Sequence, residues 1–258
     1  MEELESGLCG PESCGPGTAW DEETQACIVA YPADINFDGC VQLNDLLDLL
    51  QAYGNCAEVA EESWQCGDQV GYQGYDYATV LIGDQCWFAE NLRSENYENG
   101  DAIPANLSDS EWDNITTGAV AVYVASASNL ESYGRLYNWY AVDDARGLCP
   151  SGWHVPTDGE WTVMTDELGG ESIAGGQMKT TYGWNNGGNG TNSSGFSGLP
   201  GGYRYGSGSF SGAGSSGYWW SSSPSGSYAW NRYLSFGNGY VGRSDGSLRF
   251  GFSVRCVR

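Results

Sequence analysis

The last thirty residues, 229–258, carry an alternation that limits how this end of the chain can fold. Trp230, Arg232 and Leu234 share one parity, and Asn231 and Tyr233 fall between them. Successive side chains of a strand point to opposite faces, so this pattern predicts a β-strand with a fixed scaffold face and a second, more polar face. The alternation resumes at 252–257, which predicts a final strand.

The positions between the scaffold residues are drawn from Asn, Tyr, Ser, Gly, Asp and Phe. Rigid aromatic side chains mixed with small polar ones are typical of antibody-like contact surfaces. We therefore expect a ligand-binding surface here, and not a catalytic site. The candidate contact residues are Asn231, Tyr233, Ser235, Phe236, Asn238, Tyr240, Ser244, Asp245, Ser247 and Phe250.

The net charge of the chain narrows the class of partner. Acidic residues outnumber basic ones by 33 to 10, which gives a net charge of −23. Such a chain repels a phosphate backbone and an anionic membrane surface, so we expect no nucleic-acid partner and no membrane insertion. The acidic N-terminus lacks the basic and apolar regions of a signal peptide, which favours a fragment of a larger secreted protein.

The nine cysteines predict disulfides, because no two of them have Cys-x-x-Cys spacing and the chain has one histidine. Disulfides persist in oxidising compartments, so we expect an extracellular or cell-surface location. The odd number leaves one thiol over, or one partner outside this chain.

Composition divides the chain into four parts. Residues 1–30 are rich in Cys, Gly and Pro, as in small segments stapled by disulfides. Residues 31–56 carry the loop pattern of a calcium site, and 57–71 form an acidic linker. Residues 72–258 hold most of the aromatic residues and form the large domain.

The segment Asp34–Asp45 reproduces the spacing of an EF-hand calcium loop, with Gly39 at the sharp turn. The predicted Ca²⁺ ligands are Asp34, Asn36, Asp38, the backbone carbonyl of Cys40, Gln42 and Asp45. An aspartate at the last position resembles dockerin loops, but dockerins have two repeats and one is found here. We therefore expect this segment to be a structural spacer that binds calcium. A disulfide between Cys27 and Cys56 could link its two ends.

The large domain is predicted to contain short strands and two helices. Strand patterns cover 75–82, 85–92, 119–125, 218–222, 230–236 and 250–257. Apolar spacing predicts a helix over 133–146, and Thr157–Glu160 fits a capping box that opens a helix ending at Gly169-Gly170. The many glycines of 183–218 predict loops and short strands. The eleven tryptophans are expected to supply much of the core, Trp219, Trp220 and Trp230 included.

Six ordered motifs resemble those of the Fibrobacter succinogenes major paralogous domain over about residues 72–258. They are YDYATVLIGDQCWFAENL at 75–92, YGRLYNWYA at 133–141, CPSGWHVPTDGEW at 149–161, GFSGLPGGYR at 195–204, GYWWSS at 217–222 and GFSVRCVR at 251–258. The resemblance implies a relative of the formylglycine-generating-enzyme branch of the C-type lectin fold. Its fold would be an irregular α+β domain with short twisted antiparallel strands, two helices and long glycine-rich loops.

The same resemblance implies a bridge between Cys149 and Cys256, which would tie the middle of the domain to its last strand. A bridge between Cys66 and Cys86 is our second expectation.

The residues argue against the catalytic activity of that branch. Formylglycine-generating enzymes use a cysteine pair near the C-terminal core, where this chain has Cys256 alone. His154 is expected to be a packed, hydrogen-bonded structural residue. A catalytic triad through His154 stays open, although no Gly-x-Ser-x-Gly motif occurs. The Glu-Pro-Asn, Gln-Pro-Asp and Trp-Asn-Asp motifs of calcium-dependent lectins are absent as well.

The C-terminal stretch also resembles the variable region of a diversity-generating retroelement target protein. Every residue type at the candidate contact positions can be reached from an asparagine codon by changing only its adenines. Lys, Glu, Gln, Met and Trp cannot be reached in this way, and none occurs there. The alternative is an invariant domain whose loops are rich in Gly, Ser and Tyr.

Together these features predict a non-enzymatic extracellular ligand-binding or adhesion protein that contacts a protein or carbohydrate at a cell surface. One alternative is a glycan-binding component of a polysaccharide-degrading surface assembly, docked through residues 31–56. The other is an enzyme of the formylglycine-generating type.

Overall fold

The computed structural model describes residues 18–21, 26–29 and 64–258, and the chain divides into two compact units, 1–63 and 64–258. In the first unit, β1 (Thr18–Asp21) and β2 (Ala26–Val29) pair in antiparallel fashion. The predicted calcium loop, with its ligands Asp34, Asn36, Asp38, Cys40, Gln42 and Asp45, lies outside the described residues. The calcium site therefore stays a prediction.

The second unit is an α+β domain built from short elements. Its helices are α1 (Asp109–Asn114), α2 (Ala127–Tyr133), α3 (Trp139–Val142), α4 (Asp158–Glu167) and α5 (Glu171–Met178). Its strands are β3 (Val70–Tyr72), β4 (Tyr75–Tyr77), β5 (Thr79–Ile82), β6 (Gln85–Phe88), β7 (Val120–Ala121), β8 (Leu136–Tyr137), β9 (Gly201–Arg204), β10 (Phe210–Ala213), β11 (Ser216–Ser225), β12 (Tyr228–Ser235) and β13 (Gly242–Ser247). No helix of the described residues is long and apolar enough to cross a membrane.

The main sheet has five strands in the order β10–β9–β11–β12–β13. Strands β9 and β11 pair in parallel through Gly202 and Gly217, and the other neighbours are antiparallel. A two-residue turn joins β11 to β12, and Gly226 in this turn has a φ of 61°, which residues with a Cβ rarely adopt. The remaining strands of the unit form two-stranded ladders, β3–β4, β5–β6 and β7–β8.

Aromatic side chains fill the core, as the composition predicted. One group of buried residues surrounds Trp220 and Phe252, whose ring centroids lie 4.3 Å apart. A second group contains Trp87, Trp161 and Trp219, and the first two rings are 4.9 Å apart. The sheet therefore packs tryptophans on both of its faces, since Trp219 and Trp220 are neighbours on one strand.

Helix α4 begins and ends where the sequence predicted. The Thr157 hydroxyl accepts a hydrogen bond from the Glu160 amide, and the Glu160 side chain accepts one from the Thr157 amide. This reciprocal capping box satisfies two amides at the helix start. Gly169 and Gly170 follow with φ angles of 92° and 94°, which ends the helix.

The predicted helix over 133–146 is wrong. Helix α2 ends at Tyr133, Gly134 takes a φ of 70°, and β8 and the single turn α3 follow. The apolar spacing was misleading, because 134–139 is buried on every side and thus has no solvent face. The described residues consequently hold five helices instead of two.

Five of the six strand predictions were correct in place and wrong in extent, whereas the predicted strand 250–257 is wrong, because this segment forms isolated bridges and no strand. The predicted strand 75–82 is two strands, β4 and β5, and 119–125 keeps only β7 before a 3₁₀ turn. Strand β13 was missed because its glycines and polar residues do not alternate. The six residues 252–257 are all buried, because they bridge to Tyr137, His154, Trp87 and Trp219 on four sides instead of lying at a sheet edge.

Both predicted disulfides are present. Cys66 bonds to Cys86 with a Cα–Cα distance of 5.7 Å, and Cys149 bonds to Cys256 with 5.8 Å. The second bridge anchors the buried C-terminal segment to the middle of the domain. It closes a loop over 107 positions, whereas the first spans 20.

Candidate ligand-binding surface

Strands β12 and β13 hold most of the predicted contact residues, and the inner side of these strands is fixed on helix α4. Asp158 accepts hydrogen bonds from Arg232 on β12 at 2.6 Å and from Arg243 on β13 at 2.8 Å. Arg232 is 1% exposed. The Arg243 guanidinium also lies 3.6 Å from the centroid of the half-buried Trp230 ring. The scaffold residues of the alternating pattern thus form this packed side.

The ionisation of Asp158 fits this role. Burial alone would raise the pKa of its carboxyl group, but the hydrogen bonds from Arg243 and Arg232 outweigh it and lower the pKa below its ordinary value. The carboxylate is therefore charged at neutral pH and neutralises two cations of adjacent strands.

The opposite side of the sheet presents a group of aromatic rings that we name the tyrosine face. Its members are Tyr203, Tyr205, Tyr218, Tyr233 and Phe250. The strand register places Tyr218 directly beside Tyr233, and these two rings stack with centroids 5.5 Å apart. Tyr203 on β9 meets Tyr218 edge-on at 5.0 Å. Three neighbouring strands therefore contribute one ring each to a continuous row.

The row continues at one end through Tyr205 and Phe250, whose centroids are 6.0 Å apart. Tyr205 is 40% exposed, and the other four members are partly exposed. Beneath them the buried Phe252 ring stacks on Tyr218 at 4.9 Å. The rings are thus held by packing from below and are partly exposed to solvent.

Burial keeps the hydroxyls of Tyr203 and Tyr218 neutral. The Tyr203 hydroxyl donates to that of Tyr205 at 2.6 Å, and burial, followed by this hydrogen bond, raises the pKa of Tyr203 to about 12. Burial also raises the pKa of Tyr218. A surface of neutral phenols can both donate and accept hydrogen bonds without adding to the negative charge of the chain.

A glycine makes room for the row on the edge strand. Gly242 of β13 lies opposite Tyr233, and a Cβ at this position would collide with the Tyr233 ring. The ring therefore lies across β13. Any larger residue at 242 would displace it.

The connection between β12 and β13, residues 236–241, is pinned to helix α5. Lys179 at the end of this helix is 3% exposed, and its Nζ donates to the carbonyls of Ser235 at 3.1 Å and Asn238 at 2.8 Å. The amide of Val241 donates to the carbonyl of Glu171. The backbone of the connection is therefore fixed.

The predicted contact residues differ in exposure. Four are exposed, namely Asn238, Tyr240, Ser244 and Asp245. Five are half-buried, namely Tyr233, Ser235, Phe236, Ser247 and Phe250. Asn231 is the exception: it is 2% exposed, it lies between Trp220 of β11 and Ser244 of β13 in the strand register, and it is not available for contact.

Sequence reasoning missed three members of the tyrosine face, Tyr203, Tyr205 and Tyr218. The signal for two of them was present, since Tyr203 and Tyr205 share a parity on either side of the buried Arg204. Arg204 is held below the face by hydrogen bonds to the carbonyls of Gly208 and Leu107. An alternation of this kind predicts a common face once a strand is assigned.

His154 does not have the packed environment that the sequence predicted. Its side chain is half exposed, and Nε2 lies 2.7 Å from the Glu160 carboxylate. Its backbone pairs with Val257. Among residues 64–258, no three His, Cys, Asp or Glu side chains come close enough together to hold a metal ion.

Residues 80–258 match the Fibrobacter succinogenes major domain. No curated protein and no solved structure matches the chain. The matched segment covers well over half of the sequence, so this protein belongs to the Fibrobacter succinogenes major domain family.

Proposed function

We propose that this protein is a non-catalytic extracellular binding protein, and that its contact surface consists of the tyrosine face together with the exposed residues of β12, β13 and their connection. The observation that carries the proposal is the row of Tyr203, Tyr218 and Tyr233 across three adjacent strands. Half-exposed aromatic rings with neutral hydroxyls supply large contact area at a low cost in side-chain entropy.

The surroundings of the row support a contact role. Asn238, Tyr240, Ser244 and Asp245 provide exposed polar groups beside a packed scaffold. Lys179 and Asp158 hold the backbone of these segments in place, so little ordering would be needed on binding. A fixed framework with an adaptable rim is the arrangement of an effective paratope.

The finer parts of the proposal follow from the sequence. The disulfides favour an oxidising compartment and hence an extracellular or cell-surface location. We take the domain to be C-type-lectin-like, and we assign residues 31–56 to a calcium-stabilised spacer. The residue types in 228–250 favour diversification by a retroelement, with exposed positions changing on a constant scaffold.

Binding can be tested with two variants that each replace an exposed apolar side chain with serine. Labelled full-length protein is applied to a glycan array and to a phage-displayed peptide library, as the wild type and as Tyr205→Ser and Leu81→Ser. Leu81 is 59% exposed on β5 and lies outside the tyrosine face, so its substitution is the matched control. We expect saturable binding that Tyr205→Ser weakens about tenfold, the scale for an interfacial tyrosine, while Leu81→Ser leaves it unchanged.

The opposite pattern overturns the proposal. Ligands that lose affinity with Leu81→Ser but tolerate both Tyr205→Ser and Tyr233→Ser would place binding elsewhere on the molecule.

A further inference from the structure

A pocket of about 640 Å³ opens in the large domain away from the tyrosine face and shares no residue with it. Its walls come from residues 78–93, the end of helix α2 and the segment 182–199, and Arg255 contributes from the C-terminal segment. This volume lies in the range of small-molecule sites.

Arg255 brings a buried charge to this pocket without a carboxylate of its own. It is 1% exposed, and among the described residues no acidic oxygen lies within 4.0 Å of its guanidinium. Its Nε donates to Asn91 Oδ1 at 2.9 Å, Nη1 to the carbonyls of Phe88 and Phe196, and Nη2 to the carbonyl of Ser197 at 3.0 Å.

These four acceptors leave one N–H of the guanidinium uncommitted, since arginine has five. Burial lowers the pKa of Arg255 to about 9, so the group is still a cation at neutral pH. A buried cation that is bonded only to neutral oxygens favours an anion nearby.

Arg93 supplies a second guanidinium to the pocket. Its Nη2 donates to Glu90 Oε2 at 3.0 Å, and the group lies 4.0 Å above the Tyr75 ring. Its Nε is buried and has no hydrogen-bond partner among the described residues. An unmade hydrogen bond at a buried N–H is costly, so this atom too favours an acceptor from outside.

The carboxylates of the pocket do not meet these needs. Glu90 is already bonded to Arg93 and to the Tyr75 hydroxyl, and its other oxygen accepts from the amide of Ala78. Glu131 lies exposed on the wall, and its side chain forms no ion pair within the part of the chain that the structure describes. Beside the carboxylate of Glu131, the pocket therefore holds two guanidinium groups that each keep an uncommitted N–H donor.

We propose that this pocket binds a small ring compound that carries a carboxylate group. A carboxylate matches the planar donors of arginine better than a neutral acceptor does. Tyr182, Tyr133 and Leu199 line the pocket and offer apolar surface to the ring. Acidic sugars and aromatic acids both carry a carboxylate on a ring, and the experiment distinguishes these two classes of ligand.

The test is an amide-resolved NMR titration of the full-length chain in about 0.15 M salt, which screens the repulsion between an anion and a chain of charge −23. The probes are D-glucuronate and D-galacturonate, benzoate, and the neutral analogues D-glucose, D-galactose and benzamide. At least one acid should shift the amides of 89–93, 131–134 and 182–183 saturably. Its neutral analogue should bind at least about tenfold more weakly, the scale of a charged hydrogen bond.

Three variants of pocket residues test how each side chain affects the affinity for the acid. Arg93→Gln should weaken binding of the acid about tenfold, and Glu131→Gln should strengthen it about twofold, because a nearby like charge is removed. Tyr182→Ser should weaken binding, whereas the exposed controls Tyr205→Ser and Glu167→Gln should not change it. Should Arg93→Gln fail to fold, the exposed positions Glu131 and Tyr182 still decide the question.

Three outcomes overturn the proposal. The first is the absence of a saturable shift with every acid up to about 10 mM, the range of the weakest specific complexes. The second is equal affinity for an acid and its neutral analogue. The third is a set of shifts confined to residues outside the pocket.

Discussion

Asp158, the first residue of helix α4, binds one arginine from each of two neighbouring strands. The charges of both arginines are thus neutralised by a single carboxylate of the helix. Arg232 also donates to the carbonyl of Asp158 and to Thr162 Oγ1, which a side-chain substitution at 158 would leave in place. Among the described residues, the guanidinium of Arg232 has no carboxylate partner other than Asp158.

Replacing Asp158 with Asn should therefore destabilise the domain by about 3 kcal/mol, because it leaves the buried Arg232 cation unpaired. Asp166→Asn, on an exposed position of the same helix, is the control and should change the free energy of unfolding by less than about 0.5 kcal/mol. Urea unfolding measures both. A loss below about 1 kcal/mol in Asp158→Asn would show that the pair does not hold the strands.

The lowered pKa of Asp158 sets a pH dependence. Since the folded pKa lies below the unfolded value of about 3.9, the contribution is complete above that value and is lost as the pH falls through the folded pKa. The stability difference between the wild type and Asp158→Asn should stay constant from about pH 7 to 5 and shrink below about pH 4. Urea midpoints across this range measure it, and a difference that shrinks already above pH 5 would contradict the assignment.

At the scale of elements, the connection between β12 and β13 is fixed by the only lysine of the chain. Lys179 donates to the carbonyl of Ser235 at the end of β12 and to that of Asn238 in the connection, while the side chains of Tyr240 and Asn238 are exposed. Exposed side chains on a fixed backbone suit recognition, because the backbone entropy is lost on folding and not on binding.

Lys179→Met should free this connection and leave the packing of the lysine stem largely intact. We expect the amides of 236–241 to exchange with solvent about tenfold faster, since two carbonyls lose their donor. Ile173→Thr, an exposed substitution on the same helix, is the control. Hydrogen exchange resolved by residue measures the effect, and unchanged protection at Val241 would contradict this role of Lys179.

Local signals were readable from the sequence, and non-local ones were not. The capping box of α4 lies within four residues, so it was predicted together with its end at Gly169-Gly170. The helix predicted over 133–146 is interrupted by the turn at Gly134. The sequence did not reveal this, because residues 134–139 are buried on all sides and their apolar spacing marks no helix face. Of the tyrosine face, Tyr233 and Phe250 were predicted, whereas Tyr203 and Tyr218 meet only through the parallel pairing of β9 with β11.

At the scale of the molecule, the two disulfides differ in the length of chain that they close. The bridge Cys149–Cys256 restrains a loop of 107 positions and anchors the buried C-terminal segment, which bridges to β6, β8 and β11. The bridge Cys66–Cys86 spans 20 positions. In the chain-entropy account, the longer loop gives the larger stabilisation.

Replacing both cysteines of a bridge with serine should thus cost about 5 kcal/mol for Cys149–Cys256 and about 3 kcal/mol for Cys66–Cys86. Urea unfolding of the two double variants under identical conditions measures the difference. The reverse order of stability would contradict the entropic account and point to strain or packing at the shorter bridge.

The central claim divides the molecule into a constant scaffold and an exposed contact surface at its C-terminal strands whose residues vary between cells. The most direct measurement is to sequence the coding region in many sibling cells, together with its neighbouring genes. We predict substitutions in adenine-derived codons at exposed positions such as Asn238, Tyr240 and Ser244, beside a near-copy template and a reverse transcriptase gene, with Arg232 and Leu234 unchanged. An invariant stretch without a template, or substitutions as frequent at the buried positions as at the exposed ones, would contradict the claim.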